Sequence, residues 1–179
     1  MLKNKKQKKN DIAVVLIDMQ AFFLKDFSSS VRNTLIKNQS YVIKICVAKK
    51  LPFIVLEYKT NGISRGKIIK SLDREIKNGH KDIFIKENNS GFAQTKLESI
   101  LKESGIKTLL LMGVNANGCV QDTAIGALHR GFNVVTSEGL IASSSRNDLE
   151  LSKRNRDWYL KNTILKKTLG DLIGYLNQG

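Results

Sequence analysis

Three residues of types that can do covalent chemistry stand far apart in the chain, each beside a run of apolar residues. They are Asp18, Lys86 and Cys119. A deprotonated thiol is a nucleophile, a carboxylate can take the thiol proton and return it to a leaving amine, and a nearby ammonium group favours the thiolate. Together the three types could perform acyl transfer, with a carboxylate in the role that histidine has in many hydrolases.

Cys119 follows a run of small and polar residues, 113–118, and begins a stretch with helical periodicity. At a helix N-terminus, unpaired N–H groups and the positive end of the dipole favour a thiolate and can also hold an oxyanion. The sequence therefore predicts that Cys119 is a nucleophile in thiolate form. The alternative is ordinary: a core cysteine, a turn aspartate at Asp18 and a solvated Lys86.

The elements that must position these residues alternate between apolar strands and amphipathic helices. This alternation predicts a single α/β domain, a Rossmann-like, doubly wound and mostly parallel sheet of about six strands between two helical layers. The predicted strands cover 12–17, 51–58, 82–87, 107–114, 132–138 and 163–165; the predicted helices cover 29–50, 91–104, the stretch from Cys119 to Gly131 and two C-terminal segments.

Ligands of such sheets bind beyond the carboxyl ends of the strands. Asp18, Lys86 and the turn 115–119 each lie at or just past the end of a predicted strand. We therefore expect all three to meet at one edge of the sheet.

Composition limits the class of protein. The 179 residues carry a formal charge of +14, with five lysines in the first ten residues, so we expect a disordered basic tail at 1–10 before a domain at 11–179. No RNA-binding fingerprint or bilayer-length apolar run is present and no signal-peptide pattern follows the tail. These features predict a cytoplasmic protein with no membrane association and no specific nucleic-acid partner.

The second cysteine, Cys46, lies on the apolar face of a predicted helix. We therefore expect it to be a residue of the hydrophobic core.

Three segments resemble the motifs of the isochorismatase-like cysteine hydrolases, the superfamily of nicotinamidase, N-carbamoylsarcosine amidohydrolase and isochorismatase. The resemblance runs from about residue 11 to about 142 and continues more weakly to 158–162. It implies that Asp18 is the general base, Lys86 the polarising cation and Cys119 the nucleophile. It also implies a cis peptide between Val114 and Asn115, which would turn the Asn115 N–H toward that of Cys119 to form an oxyanion hole. The three segments are 14–23, 85–101 and 109–137.

The same resemblance narrows the chemistry. Nicotinamidases of this family carry an Asp and His metal cluster after the second strand, whereas 57–79 contains no histidine. We therefore expect no metal and no cofactor, with His80 and His129 at the surface. The presence of Cys119 favours hydrolysis of an amide or carbamoyl C–N bond of a small molecule through a thioester. We also expect a homo-oligomer, either a dimer or a tetramer. A vinyl-ether hydrolase of the isochorismatase type and an inactive basic interaction protein are the alternatives.

Several further residues are expected to contact the substrate. Aromatic side chains near the three motifs could wall an apolar pocket, although plain core packing explains them equally well. The predicted substrate-binding set is the backbone of Asn115 with Val114, Gln20, Phe23, Tyr58 and Phe92, and Phe22 is a further candidate for the wall.

Overall fold

The computed structural model describes residues 11–77, 79–143 and 149–178, which build eight strands and seven helices. The strands are β1 Ile12–Ile17, β2 Phe53–Thr60, β3 Ile63–Ser64, β4 Lys81–Lys86, β5 Thr108–Val114, β6 Asn133–Ser137, β7 Ile141–Ala142 and β8 Ile164–Lys166. The helices are α1 Ala21–Leu24, α2 Ser29–Ala48, α3 Lys70–Ile76, α4 Leu97–Glu103, α5 Cys119–Leu128, α6 Leu149–Asn162 and α7 Leu169–Gln178.

The sheet is parallel except for the short strand β3. Its order runs from β2 through β1, β5 and β6 to β8; β4 and β3 pair with β2 at one edge, and β7 pairs with β5. The chain therefore proceeds outward from β1 in one direction and outward from β5 in the other. The point where the order reverses lies between β1 and β5, and this is where an open α/β sheet forms its ligand crevice.

Apolar layers cover both faces of the sheet, and the predicted three-layer α/β architecture is confirmed. One layer packs α2, α3 and α7 on the sheet, and the other packs α4, α5 and α6. All six residues of β1 are buried, as a continuous apolar run in a central parallel strand requires. Cys46 belongs to the first layer and is fully buried, so its predicted core position is confirmed.

All six predicted strands are present with shifts of one or two residues at their ends, and β3 and β7 are short additions. The predicted helix 91–104 is wrong in its first half, because α4 begins at Leu97. Hydroxyl groups compete with helical hydrogen bonding in this segment: Ser90 Oγ accepts from the Phe92 N–H, and Thr95 Oγ1 donates to the Gly91 carbonyl. Gln94 adopts a positive φ of 57°, which also interrupts a helix.

Strand β4 forms an edge of the sheet and pairs along its whole length with β2. Its side chains alternate, so that Lys86 is buried while Ile83 and Ile85 are 49% and 53% exposed on the opposite face. Helix α3, which the sequence analysis did not anticipate, packs on α2 and on the neighbouring part of the sheet.

The two central strands approach each other closely at Gly113. An added Cβ would lie 2.1 Å from the Ile17 carbonyl oxygen, and the φ of Gly113 is +144°. Only glycine fits this position, which brings the end of β5 against the end of β1.

Two further predictions concern the N-terminal tail and association with a membrane. The predicted tail at 1–10 lies outside the described residues, so its state stays a prediction. No described helix combines the length and the apolar character that crossing a bilayer requires.

Candidate active site

Asp18 directly follows β1 and turns sharply out of the strand. Its φ is +54°, a left-handed conformation that aspartate tolerates better than most residues, and its N–H donates to the Leu56 carbonyl at 3.0 Å. The side chain is almost completely buried. Oδ2 accepts a hydrogen bond from Lys86, whereas Oδ1 has no hydrogen bond of ordinary geometry among the described residues.

Lys86 is the last residue of β4, and its ammonium group is enclosed. Nζ lies 2.9 Å from Asp18 Oδ2, 3.3 Å from the Asn88 carbonyl oxygen and 4.2 Å from the centre of the Tyr58 ring. Its side chain has no exposed surface. A buried ammonium group needs such partners, because burying an unpaired charge costs roughly several kcal/mol per ion.

Cys119 is the first residue of α5, and the turn before it leaves the helix end open. The preceding residue, Gly118, provides no side-chain cap, and the Asn115 carbonyl accepts from the N–H groups of Gly118 and Val120. The Cys119 N–H has no hydrogen-bond partner in the described part of the chain, as expected for a first-turn amide. Sγ is half-buried and lies 3.7 Å from Asn89 Oδ1.

The turn itself is held by neighbouring elements. Tyr159 of α6 donates from its hydroxyl to the Ala116 carbonyl at 2.8 Å, and the Ala116 N–H donates to the carbonyl of Ala142 in β7. The peptide bond between Val114 and Asn115 is cis. The side chain of Val114 is fully buried and packs in the hydrophobic core. Only the backbone of Val114 therefore belongs to the turn.

The electrostatics of the three side chains reverse one expectation. Burial raises the pKa of the Cys119 thiol to about 12, the Asp18 charge adds to this rise, and Lys86 opposes it. The predicted resting thiolate is therefore wrong: the helix end and one cation do not offset desolvation and a neighbouring carboxylate. Burial also raises the pKa of Asp18, while the charge of Lys86 and hydrogen bonds from Cys119 and Lys86 act in the lowering direction.

Gln20 lies at the site but has no free group for a substrate. Its amide nitrogen donates to the carbonyls of Tyr58 and Gly66, and its oxygen accepts from the Tyr58 N–H at 2.7 Å. The side chain is fully buried. In the structure Gln20 therefore ties the loop after Asp18 to β2 and to the segment beyond β3.

The aromatic candidates divide into two groups. Tyr58 contacts Lys86, and the Phe23 ring meets Tyr58 edge-on with ring centres 5.8 Å apart, so both lie beside the three reactive side chains. Phe92 does not: it stacks on Phe132 in the core and borders Gly126, two turns along α5 from Cys119.

The segment between Lys86 and α4 also contacts the site, through Asn88 and Asn89, and the sequence pattern did not predict this. The Gly91 N–H donates to Thr123 Oγ1 of α5, which anchors this segment above Cys119 and presents Asn89 to the thiol. The only sequence signal was the position of Asn89 just after a strand end, where turn residues are common.

No group of three His, Cys, Asp or Glu side chains is close enough to hold a metal ion within the described ranges. His80 and His129 are both exposed, and His80 lies 3.4 Å from Asp82. The expectation of a metal-free site remains a prediction.

The chain resembles several characterised proteins. It is 25% identical over 150 residues to nicotinamidase 3 of Arabidopsis thaliana, covering 73% of each chain. Its fold matches the nicotinamidase of Staphylococcus aureus with a TM-score of 0.77 at 15% identity, covering 89% of this chain and 99% of that one. It also matches the N-carbamoylsarcosine amidase of Thermoplasma acidophilum with a TM-score of 0.72 at 21% identity, covering 87% and 95%.

A family model provides the strongest of these comparisons. The isochorismatase domain matches residues 12–164, which span β1 to β8 and contain all three of Asp18, Lys86 and Cys119. The arrangement of the sheet and this match lead to one conclusion: the chain belongs to the isochorismatase family of hydrolases.

Proposed function

We propose that the protein hydrolyses an amide or carbamoyl C–N bond of a small molecule, with Cys119 as nucleophile, Asp18 as general base and acid, and Lys86 as the cation that keeps Asp18 ionised. One observation carries the proposal. Asp18 and Lys86 form an enclosed ion pair at 2.9 Å. The charges of both groups shift the pKa of the Cys119 thiol at the open end of α5.

In the first half of the reaction, Cys119 Sγ attacks the substrate carbonyl carbon while its proton passes to Asp18. The protonated state of the thiol fits this order, because a thiol with a raised pKa needs a base at the moment of attack. The carbonyl oxygen becomes an oxyanion, and in this proposal the N–H of Cys119 and the backbone of Asn115 stabilise it.

In the second half, the C–N bond breaks as Asp18 returns its proton to the leaving nitrogen, and a thioester at Cys119 remains. Water then attacks the thioester while Asp18 accepts its proton, the C–S bond breaks, and Asp18 passes that proton to Sγ. The acid is released and the Cys119 thiol is restored, so atoms and charge balance over one turnover.

Nicotinamidase and N-carbamoylsarcosine amidase activities belong to the named relatives, and they support amide and carbamoyl compounds as the first substrates to screen. The test measures release of ammonia or amine from a panel of primary amides and N-carbamoyl compounds. Mass spectrometry of the protein quenched in acid should find an acyl group on the peptide containing Cys119.

The decisive variants are Cys119→Ala and Asp18→Ala, alone and combined, with Cys46→Ala as the matched cysteine control. Cys119→Ala should lower kcat by several orders of magnitude, and Asp18→Ala should add little once the thiol is gone, because residues that act as a unit are not additive. Full activity in Asp18→Ala would contradict the mechanism. Activity that survives Cys119→Ala but still needs Asp18 would instead support vinyl-ether hydrolysis.

A further inference from the structure

We propose that Asn89 is a positioning residue for the reaction: its amide oxygen competes with Asp18 for the thiol hydrogen of Cys119, and a substrate N–H that takes this oxygen releases the hydrogen to Asp18. The inference rests on the proposed function and deepens it. It names the part of the substrate that activates the nucleophile, which is an N–H on the leaving nitrogen.

The Cys119 thiol has one hydrogen and two acceptors. Asn89 Oδ1 lies 3.7 Å from Sγ and accepts a hydrogen bond from the thiol. Burial raises the pKa of Asp18, and a hydrogen bond from Cys119 acts against this rise, so the carboxylate is the second acceptor. A single S–H serves one acceptor at a time. Asp18 Oδ1 has no hydrogen bond of ordinary geometry in the described part of the chain, so it can take the thiol hydrogen when Asn89 gives it up.

Asn89 is held beside the thiol from both ends of its segment. On one side, the Asn88 carbonyl accepts from the enclosed ammonium group at 3.3 Å. On the other side, the Gly91 N–H donates to Thr123 Oγ1 at 2.9 Å. Thr123 lies one turn after Cys119 on the same face of α5. The helix that carries the thiol therefore also fixes the segment that carries Asn89.

The two acceptors differ in their access to solvent. Asp18 is almost completely buried, Cys119 is half-buried and Asn89 is exposed. A substrate that enters from solvent therefore reaches Asn89 while Asp18 is still covered. An amide N–H is a good donor to an amide oxygen, whereas S–H is a weak donor, so a substrate N–H displaces the thiol from Asn89.

In the resting protein the S–H points to Asn89, and the bound substrate reverses this. The N–H of the leaving nitrogen donates to Asn89 Oδ1, and the S–H turns to Asp18 Oδ1. As the S–C bond forms, the proton passes to Asp18, which returns it to the same nitrogen when the C–N bond breaks. In the tetrahedral adduct this nitrogen is two bonds from Sγ, so its N–H stays within reach of an oxygen that lies 3.7 Å from the sulfur. An ester has no N–H at its leaving atom and leaves the thiol on Asn89.

The first measurement follows the thiol hydrogen directly, in a Cys46→Ala background that leaves one thiol. Infrared spectroscopy records the S–H stretching band, whose frequency falls as the hydrogen bond becomes stronger. Asn89→Ala should move the band to lower frequency, because the hydrogen then goes to the Asp18 carboxylate, a stronger acceptor. Asn88→Ala is the matched control and should leave the band in place, since the Asn88 side chain donates to Gln94 and the backbone carbonyl of residue 88 is kept.

A second measurement separates the hydrogen bond from packing. The thiol is modified with methyl methanethiosulfonate, a reagent without N–H groups. Asn89→Ala should react at least about threefold faster than the parent protein, since loss of an acceptor of the neutral thiol favours the thiolate. Asn89→Asp should react at least about threefold slower, since a second carboxylate beside the thiol favours the protonated form. A purely structural role for Asn89 would change both rates in the same direction and would contradict the inference.

The third measurement is turnover of primary amides and of the methyl esters of the same acids. Only the amide uses Asn89 in this scheme, so Asn89→Ala should lower the ratio of kcat/KM for the amide to that for the ester by at least about fivefold.

An S–H band that stays in place or moves to higher frequency in Asn89→Ala would overturn the inference, as would an unchanged ratio of amide to ester turnover. A band that moves to lower frequency in a protein that hydrolyses no amide would contradict the proposed function and leave the competition for the thiol hydrogen supported.

Discussion

Asp18 and Lys86 are 68 positions apart in sequence, yet their charged groups meet at 2.9 Å with almost no contact with solvent. Each ion makes the burial of the other tolerable, and neither is well accommodated alone. The stability of the protein and the chemistry proposed for it therefore depend on the same contact.

Replacing one partner of this pair should cost more stability than replacing both. Lys86→Met leaves a buried carboxylate unpaired and should lower the free energy of unfolding by about 3–5 kcal/mol, whereas Asp18→Asn with Lys86→Met removes both charges and should recover much of that loss. Urea unfolding of the single and double variants measures the coupling. Additive losses would show that the two charges do not interact energetically.

The pKa of the Cys119 thiol should respond in opposite directions to the two charges. Since the Asp18 charge raises this pKa and Lys86 lowers it, Asp18→Asn should lower it from about 12 and Lys86→Met should raise it. The measurement is the pH dependence of iodoacetamide alkylation in a Cys46→Ala background, which leaves one thiol. Shifts of the same sign in both variants would exclude this arrangement of charges.

The acid limb of the kcat/KM profile should lie at a higher pH than an ordinary aspartate would give. The reaction needs ionised Asp18, whose pKa is raised from 3.8 by burial, so kcat/KM should begin to fall at a higher pH than for an ordinary aspartate as the solution is acidified. The thiol starts protonated, so the rate should hold to about pH 10 on the alkaline side. An alkaline decline near the ordinary cysteine pKa would contradict a protonated starting thiol.

Gly113→Ala should be among the most damaging small substitutions in the chain. Its added methyl group would collide with the Ile17 carbonyl, and its φ is unfavourable, so we expect a loss of about 3 kcal/mol or more in the free energy of unfolding. Gly131→Ala is the control: its φ is also positive, at +81°, but nothing lies within 4 Å, so its cost should be about 1 kcal/mol. Similar losses for the two variants would rule out the steric explanation.

The strands and their shared edge could be predicted because they depend on local pattern. The run 12–17 is apolar throughout and rich in β-branched residues, as a strand covered on both faces must be. Once the strands are parallel, their carboxyl ends share one edge, which is enough to bring Asp18, Lys86 and the turn before Cys119 together. Their mutual distances and burial could not be predicted, because they depend on how all the layers pack.

The errors share a cause in tertiary contacts. The start of the helix predicted at 91–104 had suitable periodicity, but Gly91 is held by Thr123 of another helix, and nearby hydroxyl groups hydrogen-bond the backbone. The protonation of Cys119 was misjudged because a helix end is visible in sequence, whereas the desolvation of a thiol beside a buried carboxylate is not.

Because strand β4 lies at an edge of the sheet, we expect the part of the site that it carries to unfold more easily than the rest. Along its length β4 is joined to the sheet through β2, at an edge where Ile83 and Ile85 face solvent, yet it ends in Lys86. Edge strands separate from a sheet at lower free energy than central ones, so once the ion pair with Asp18 breaks we expect the lysine to leave while β1, β5 and Cys119 stay folded. Mild denaturant should then abolish activity before spectroscopic signs of unfolding, with backbone amides of 81–86 exchanging with solvent earlier than those of 108–114.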